Sequence, residues 1–399
     1  MPLVDMKDML GHTFRERYAV GAFDLVSLDF REAIVAGAEA RCAPVILSLA
    51  ESHFEYYDFE LTMAATAAAA RRASVPVAIH LDHGASSESV ARAINLGCNG
   101  VMVDASSVPF ESNVTTTCAV VQIAHACGVP VEGELGYVAG VEGEDAEKHP
   151  GKVVYTSAEE SCAYVERTGV DFLAVSIGTV HGRMRGAPKL DFERLARINE
   201  VLHIPLVIHG GTGLSDDQYH KLIENGTAKI NYYTALADAA AGRMRVNMLR
   251  DSRAGYTGLM NGVRGAIQAE VERMIQVFGG ANRAEAVLAA ARRFNPVEHV
   301  IVYNVNGIED TQVENIMARG REVLARIPGV RRVVTGWAVS EEPKYRFCWL
   351  VEFASQSVID SYRDHPDHVA FANQWFRSAA GDRVSIDFAH VTQVPASVA

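Results

Sequence analysis

Residues 75–84 read VPVAIHLDHG, and the reading of this stretch decides the fold. It is apolar through its length rather than alternating, which suits a strand buried on both faces, as in a parallel sheet. It ends on Asp82 and His83. Two other apolar runs also lead into a histidine: DFLAVSIGTV precedes His181, and IPLVI precedes His209. Imidazole is the commonest neutral metal ligand, and three of them leave a tetrahedral ion one open position. If the three runs are parallel strands of one barrel, the rings converge at one mouth.

Similar runs recur along the chain: YAVGAF from Tyr18, PVILSL from Pro44, GVMVD from Gly100, VPVEGEL from Val129 and AKINYY from Ala228. With the first three, the count is eight. Helix-like segments such as SLDFREAIVAGAEARC, SSESVARAINLGC and SDDQYHKLIENG lie between them. Eight β–α units in about 250 residues predict an α/β (β/α)8 TIM barrel. A doubly wound open sheet is the rival, and the even spacing favours closure. A helical stretch follows at roughly 235–290, and then the pattern changes. Strand at 299–305, helix at 311–326, strands at 330–339 and 347–353, helix at 355–380 and strand at 383–391 give β-α-β-β-α-β, a smaller ferredoxin-like α+β domain. The expected division is a barrel at 1–285, a linker at 286–297 and a second domain at 298–399.

A net charge of −12 argues against nucleic acid or an anionic membrane as partner, since both need a basic surface. The six cysteines form no CxxC pair and read as reduced thiols of a cytoplasmic protein. No stretch of 18 residues is purely apolar, and the N-terminus has no signal core.

In such a barrel the catalytic groups come from the C-terminal strand ends. Here those ends supply Asp24, Ser48, Asp82 with His83, Asp104, Glu134, His181, His209 and Asn231. One buried polar group is commonly a satisfied core residue. Eight in register are hard to explain as structure alone. Two glycine segments, GTVHG (178–182) and HGGTG (209–213), follow strands, and the second leads into a helix that Ser215 is placed to cap. Backbone N–H groups in such a loop bind phosphate without side-chain charge.

The segments YAVGAF, HLDHG, GVMVDAS, VEGELG, RTGVDFLAVSIGTVHG, PKLDFERL, IPLVIHGGTG and AKINYYT together resemble the class II, metal-dependent fructose- and tagatose-bisphosphate aldolases. The resemblance implies zinc on His83, His181 and His209, another divalent ion being possible, with Glu134 and Asp104 as acids able to approach the metal. It implies Asp82 as the acid–base group beside the aldehyde oxygen. It also implies a dihydroxyacetone-phosphate cradle of Gly182, Gly210, Gly211, Thr212, Asn231, Tyr232, Tyr233 and Thr234, with a monovalent cation possible near the phosphate. Asp24 and Ser48 are further substrate-binding candidates. Glu142, in AGVEGEDAEKH, falls where the family carries a loop glutamate and takes the carbon acid–base role, with Glu144 as its rival. The implied reaction is reversible cleavage of a ketose phosphate to dihydroxyacetone phosphate and an aldehyde through a metal-stabilised enediolate.

The chain also departs from the family. Asp24 stands where an asparagine is usual, Thr212 where a serine is, and Tyr233 where fructose-type enzymes place an acid. Arg183-Met184-Arg185 stands where relatives more often carry a tyrosine and a lysine. Arg183 or Arg185 is therefore a candidate for gripping an anionic group of the substrate. Residues 298–392, through HVIVYNV, WLVEFASQSVIDSYRDHPDHVAF and VSIDF, resemble the stress-responsive dimeric A/B-barrel domains. That resemblance implies a homodimer or higher homo-oligomer. His365 and His368 are expected to cap or order a helix beside Pro366. The alternative for the whole chain is an inactive or repurposed metal-binding barrel, with its role in oligomerisation or small-molecule binding by the second domain.

Overall fold

The computed structural model describes residues 2–148, 153–183 and 188–389, and the backbone but not the side chain of Glu142. Eight parallel strands close into a barrel: β1 Val20–Asp24, β2 Val45–Ala50, β3 Val77–Gly84, β4 Gly100–Val103, β5 Val131–Leu135, β6 Phe172–Val175, β7 Leu206–Ile208 and β8 Thr227–Tyr232. Each pairs with the next, and β8 returns to β1 with Val20 beside Lys229 and Ala22 beside Asn231. The strands are buried almost throughout because the barrel interior covers one face and the helices the other. Ser27, Asp58, Ser86, Ser157, Asp191 and Ser215 each accept a backbone N–H at the start of an outer helix, which fixes where each βα loop ends.

Helix Met6–Glu16 plugs the N-terminal end of the barrel. Its Met6, Met9 and Leu10 join Val20, Ala22, Ile46, Ala78, Phe172, Ala174, Val207 and Ala228 in one buried cluster. The residues just before this helix form a seam with the segment leaving the barrel. Val4 bridges Arg293, Asp5 N donates to Arg292 O, and Phe294 N donates to Leu3 O. The Arg292 guanidinium pairs with Asp5 and Asp8.

The helical stretch after β8 is interrupted. It resolves into Thr234–Arg250, Tyr256–Met260, Val263–Val277 and Ala284–Ala290. No helix among the described residues is long and apolar enough to cross a membrane.

The second domain contains β9 Val297–Val305, helix Asp310–Leu324, β10 Val330–Trp337, β11 Phe347–Phe353, helices Val358–Asp364 and Pro366–Phe371, and β12 Ala380–Ala389. Its sheet is antiparallel in the order β10-β11-β9-β12, the ferredoxin-like arrangement. The helix expected over 355–380 breaks at His365. This residue precedes Pro366, where helical backbone is disfavoured, and its ring accepts the N–H of Asp367 as a cap. His368 Nδ1 is tied to Arg363 O at 3.0 Å. The inner sheet face buries Phe347, Trp349, Val351 and Phe353 under the helices, whereas Val384, Ile386 and Phe388 on the other face are exposed.

The two domains meet at the C-terminal ends of barrel helices. Asn95, near the end of helix Ser87–Leu96, donates to Ala325 O and Ile327 O and accepts from Gly329 N. Ser355 and Ser361 donate to Cys127 O and Ala126 O at the end of helix Phe110–Ala126. Barrel helices run opposite to the strands, so this joint lies at the far end from the strand C-termini.

Candidate metal centre

Asp82 and His83 are neighbours on β3 and would point to opposite faces of a regular strand. They do not, because His83 adopts φ 48° and the β3–β4 register shifts between Leu81 and Gly84. A left-handed backbone at a non-glycine residue costs on the order of 1–3 kcal/mol and persists only where the surroundings impose it. Here it brings the His83 ring to the mouth while Asp82 stays on the inner face. His209 follows directly after β7. His181 lies beyond β6, on a three-residue strand, His181–Arg183, that pairs with Gly140–Asp145.

The three rings converge, with centroids 4.7 Å apart for His83 and His209, 5.2 Å for His83 and His181, and 5.9 Å for His181 and His209. One ligand nitrogen from each lies within 4.8 Å of the others. The buried atoms His83 Nε2, His181 Nε2, His209 Nδ1 and Glu134 Oε2 have no hydrogen-bond partner among the described residues. Such orphaned atoms are costly unless something binds them, and three imidazoles with a carboxylate suit a divalent ion. Two other sets are close enough to ligate an ion: His83 with Asp104 and Glu134, and Asp82 with Glu132 and His209.

The surrounding groups fix the ligand tautomers. His83 Nδ1 lies 2.9 Å from Asp104 Oδ2, and Asp104 Oδ1 accepts the N–H and hydroxyl of Ser106. His209 Nε2 lies 2.9 Å from Glu132 Oε1. A carboxylate only accepts, so His83 presents the Nε2 lone pair and His209 the Nδ1 lone pair. Lys229 Nζ bonds Glu132 Oε2 at 2.7 Å and lies 3.9 Å from Asp82 Oδ1. Asn231 Nδ2 reaches both Asp82 oxygens at 2.9–3.0 Å. His80 sits between Asp82 and Glu132 at 3.8 and 3.6 Å.

Electrostatics favour a cation here. Asp82, Asp104, Glu132 and Glu134 face a single lysine. Burial works against ionised Asp82, yet favourable electrostatic interactions with His83, Lys229 and His209 hold its carboxyl well below the usual range. Burial, together with the Asp104 and Asp82 charges, raises Glu134 to about 7. Burial and the two neighbouring histidines lower His181 to about 3, which keeps it a neutral ligand.

Residues 4–283 match the family model for fructose-bisphosphate aldolase class-II, and residues 297–390 match the stress responsive A/B barrel domain. The chain is 41% identical over 288 residues to a probable fructose-bisphosphate aldolase of Bacillus subtilis, covering 71% of this chain and all of that protein. It is 40% identical over 288 residues to a fructose-bisphosphate aldolase of Geobacillus stearothermophilus, covering 71% and 99%. Among solved structures it is similar to the YdjI aldolase of Escherichia coli K12, at 32% identity and a TM-score of 0.62, covering 71% of this chain and 99% of that one. A putative fructose-1,6-biphosphate aldolase from Coccidioides immitis gives 32% identity and a TM-score of 0.64, covering 70% and 97%.

This chain belongs to the class II fructose-bisphosphate aldolase family. It is a class II aldolase chain, of a metal-dependent family of aldehyde-lyases, fused to a C-terminal A/B-barrel domain.

Around the candidate metal centre of this aldolase, Asp24 and Ser48 are fully buried side by side near the ends of β1 and β2. Gly210, Gly211 and Thr212 form the loop after His209, and Thr212 Oγ1 accepts the N–H of Ala235 at 3.4 Å. Asn231 faces inward on β8. Tyr232, expected in the cradle, is turned away from it. Strand alternation directs its ring into the layer between barrel and helices, where it packs on Phe23 and Phe278 and its hydroxyl donates to Glu270. Tyr233 lies at the mouth, its ring 4.6 Å from that of His53. Thr234 Oγ1 accepts the N–H of Gly143 at 3.1 Å.

The backbone of Glu142 belongs to the strand Gly140–Asp145, and its side chain lies outside the described atoms. Glu144, its rival, is exposed on the same strand. This strand and His181–Arg183 approach closely. A Cβ on Gly182 would meet Glu144 O at 2.3 Å, and one on Gly140 would meet His181 O at 2.2 Å. Arg183 is partly exposed and bonds within the chain, to Asp238 and Gly143 O. Arg185 lies outside the described residues. The sequence reading missed Glu132, Lys229, His80, His53 and Asp238.

Proposed function

We propose that this aldolase uses zinc to cleave and form a ketose phosphate, with dihydroxyacetone phosphate and an aldehyde as the other reactants. The observation that carries the reading is the convergence of His83 Nε2, His181 Nε2 and His209 Nδ1, all buried without a partner, beside Asp82. His83, His181 and His209 would hold the ion, with Glu134 and Asp104 close enough to approach it. Bound there, the ion supplies Lewis-acid stabilisation of negative charge on substrate oxygen.

The chain's own groups supply the rest. Asp82 is ionised and aimed by Asn231, so it can take a proton from the hydroxyl that becomes the aldehyde oxygen and return it in synthesis. Glu142, with Glu144 as rival, moves the proton at carbon. Gly182, residues 210–212, Asn231, Tyr233 and Thr234 offer backbone N–H and hydroxyl groups to the phosphate, and a monovalent cation beside it is compatible with that cradle. Relatives named as fructose-bisphosphate aldolases support a phosphorylated sugar.

The test is zinc content with a coupled assay for dihydroxyacetone phosphate, run over a panel of phosphorylated and acidic sugars. Full activity in metal-free protein sinks the reading. Metal binding without release of the triose phosphate from any sugar moves the role to the second domain.

The A/B-barrel domain supports a homodimer. Val384, Ile386 and Phe388 on β12 lie beside Val302, Val300 and Glu298 of β9, forming an exposed and largely apolar sheet face suited to a second copy. Molar mass by light scattering tests it.

A further inference from the structure

We infer that Arg183 is a positioning residue: it latches the strand Gly140–Asp145 over the metal centre by gripping Asp238. The inference rests on the reading of Glu142 or Glu144 as the group that moves the carbon proton.

An exposed ion pair alone is worth little, since two long side chains must be held in water. Arg183 does more than pair. Its Nε donates to Asp238 Oδ2 at 2.8 Å, and Nη2 donates to Asp238 Oδ1, a two-pronged grip on one carboxylate. Its Nη1 turns the other way, donating to Gly143 O at 2.9 Å and lying 3.6 Å from Asp145 Oδ1. The planar guanidinium thus spans two elements that otherwise meet at few points. One is helix Thr234–Arg250, anchored directly after β8. The other is the strand that carries both candidate glutamates.

The strand also pairs with His181–Arg183 and is tied down at further points. Gly143 N donates to Thr234 Oγ1 at 3.1 Å, and His181 N donates to Ala139 O at 2.7 Å. Each attachment ends at a residue of the proposed site or its neighbour: His181 of the metal set, Thr234 of the cradle, and Arg183 two positions after His181. A shift of this strand therefore moves the glutamates relative to metal and phosphate together. A misplacement of about 1 Å is enough to cost on the order of 100-fold in rate. Lysine cannot replace the arginine, because one ammonium cannot grip Asp238 and reach Gly143 O from opposite edges.

The test is amide hydrogen exchange by mass spectrometry on the zinc-loaded full-length protein, following the peptide over residues 139–146. In Arg183→Gln and in Asp238→Asn this peptide is expected to exchange about tenfold faster, with β3 and β7 peptides unchanged. Arg183→Lys behaves like Arg183→Gln, and the swapped pair Arg183→Asp with Asp238→Arg recovers part of the protection. Unchanged exchange in Arg183→Gln overturns the latch, whatever the enzyme does.

A second measurement follows solvent exchange of the carbon-bound proton of dihydroxyacetone phosphate. Its rate is expected to fall about 10–100-fold in Arg183→Gln at unchanged zinc affinity. A loosened strand with an unchanged proton-exchange rate overturns the positioning role. If the unaltered protein fails to exchange that proton at all, the aldolase reading fails instead, and amide exchange alone then judges the latch.

Discussion

Glu132 holds His209 Nε2 at 2.9 Å with one carboxylate oxygen and Lys229 Nζ at 2.7 Å with the other, in an interior where all three side chains are fully buried. The lysine keeps the carboxylate ionised, against a burial penalty that would protonate it. The ionised carboxylate keeps the proton on His209 Nε2. An amide at 132 can donate as well as accept, so it no longer dictates the tautomer. Glu132→Gln is therefore expected to weaken zinc binding about 10–100-fold, read by chelator competition. Unchanged affinity would remove this role from Glu132.

Asp82→Asn separates two proton transfers. Cleavage and condensation are expected to fall by about 10²–10⁴-fold, because the oxygen-directed base is lost. Zinc content stays full, since the three histidines remain. Solvent exchange of the carbon proton of dihydroxyacetone phosphate is expected to survive, as the proposed assignment gives that step to another residue. Equal loss of both steps contradicts the assignment.

Asp171 gives a pH signature away from the candidate metal centre. Burial raises its pKa, but hydrogen bonds from His125, Lys7 and Val131 N outweigh that and leave it below the ordinary 3.8. A carboxyl depressed in the folded state stabilises the fold above its unfolded pKa, and that contribution is lost as pH falls through the folded value. Asp171→Asn is expected to cost about 1.5–3 kcal/mol at pH 7. The gap from the unaltered protein should close as pH falls below 3.8 and through the folded value. A gap that stays constant with pH assigns the loss to packing instead.

Asn95 makes three hydrogen bonds across the domain joint, to Ala325 O, Ile327 O and Gly329 N. Asn95→Ala leaves those groups to find water. Stability of the joint should fall by about 1–3 kcal/mol, and denaturant unfolding should split into two steps as the domains uncouple. A single transition at the original midpoint would show that the joint does not depend on Asn95.

Ile386→Glu tests the exposed sheet face. A charge in the middle of that apolar surface is expected to convert a dimer to monomer in light scattering, with the unfolding midpoint of the barrel unchanged. A dimer that survives the substitution pairs through another surface.

The barrel was legible because its strands are buried on both sides, and such runs stand out in any sequence. The paired strands Gly140–Asp145 and His181–Arg183 were not. They are held by glycines that permit close approach, and VEGED carries neither alternation nor an apolar run. The three histidines are readable as strand-end residues, whereas Glu132, His80 and Lys229 lie within the strands, away from those ends. A signal existed: His80 and Asp82, Glu132 and Glu134, and Lys229 and Asn231 are each spaced by two, so each pair shares the barrel's inner face. Tyr232 belongs to the cradle segment by its position in the motif, and the same alternation turns its ring outward. Arg183 stood with Arg185 as a candidate for the substrate because its partner, Asp238, lies one helical turn beyond Thr234 and 55 positions away in the chain. Charge alone cannot reveal a pairing at that separation.

The seam between residues 3–5 and 292–294 sets an order of assembly. Asp5 and Arg292 are 287 positions apart, so helix Met6–Glu16 is synthesised long before the residues that fasten it. Closure of β1 onto β8 waits nearly as long. During translation the oil-covered plug of Met6, Met9 and Leu10 therefore has no finished socket until almost the whole barrel has left the ribosome, and the strand that opens the second domain follows within a few residues of that fastening. Barrel completion and the start of its appended domain are consecutive events on the ribosome, and a chain released before Ala228 would expose that plug.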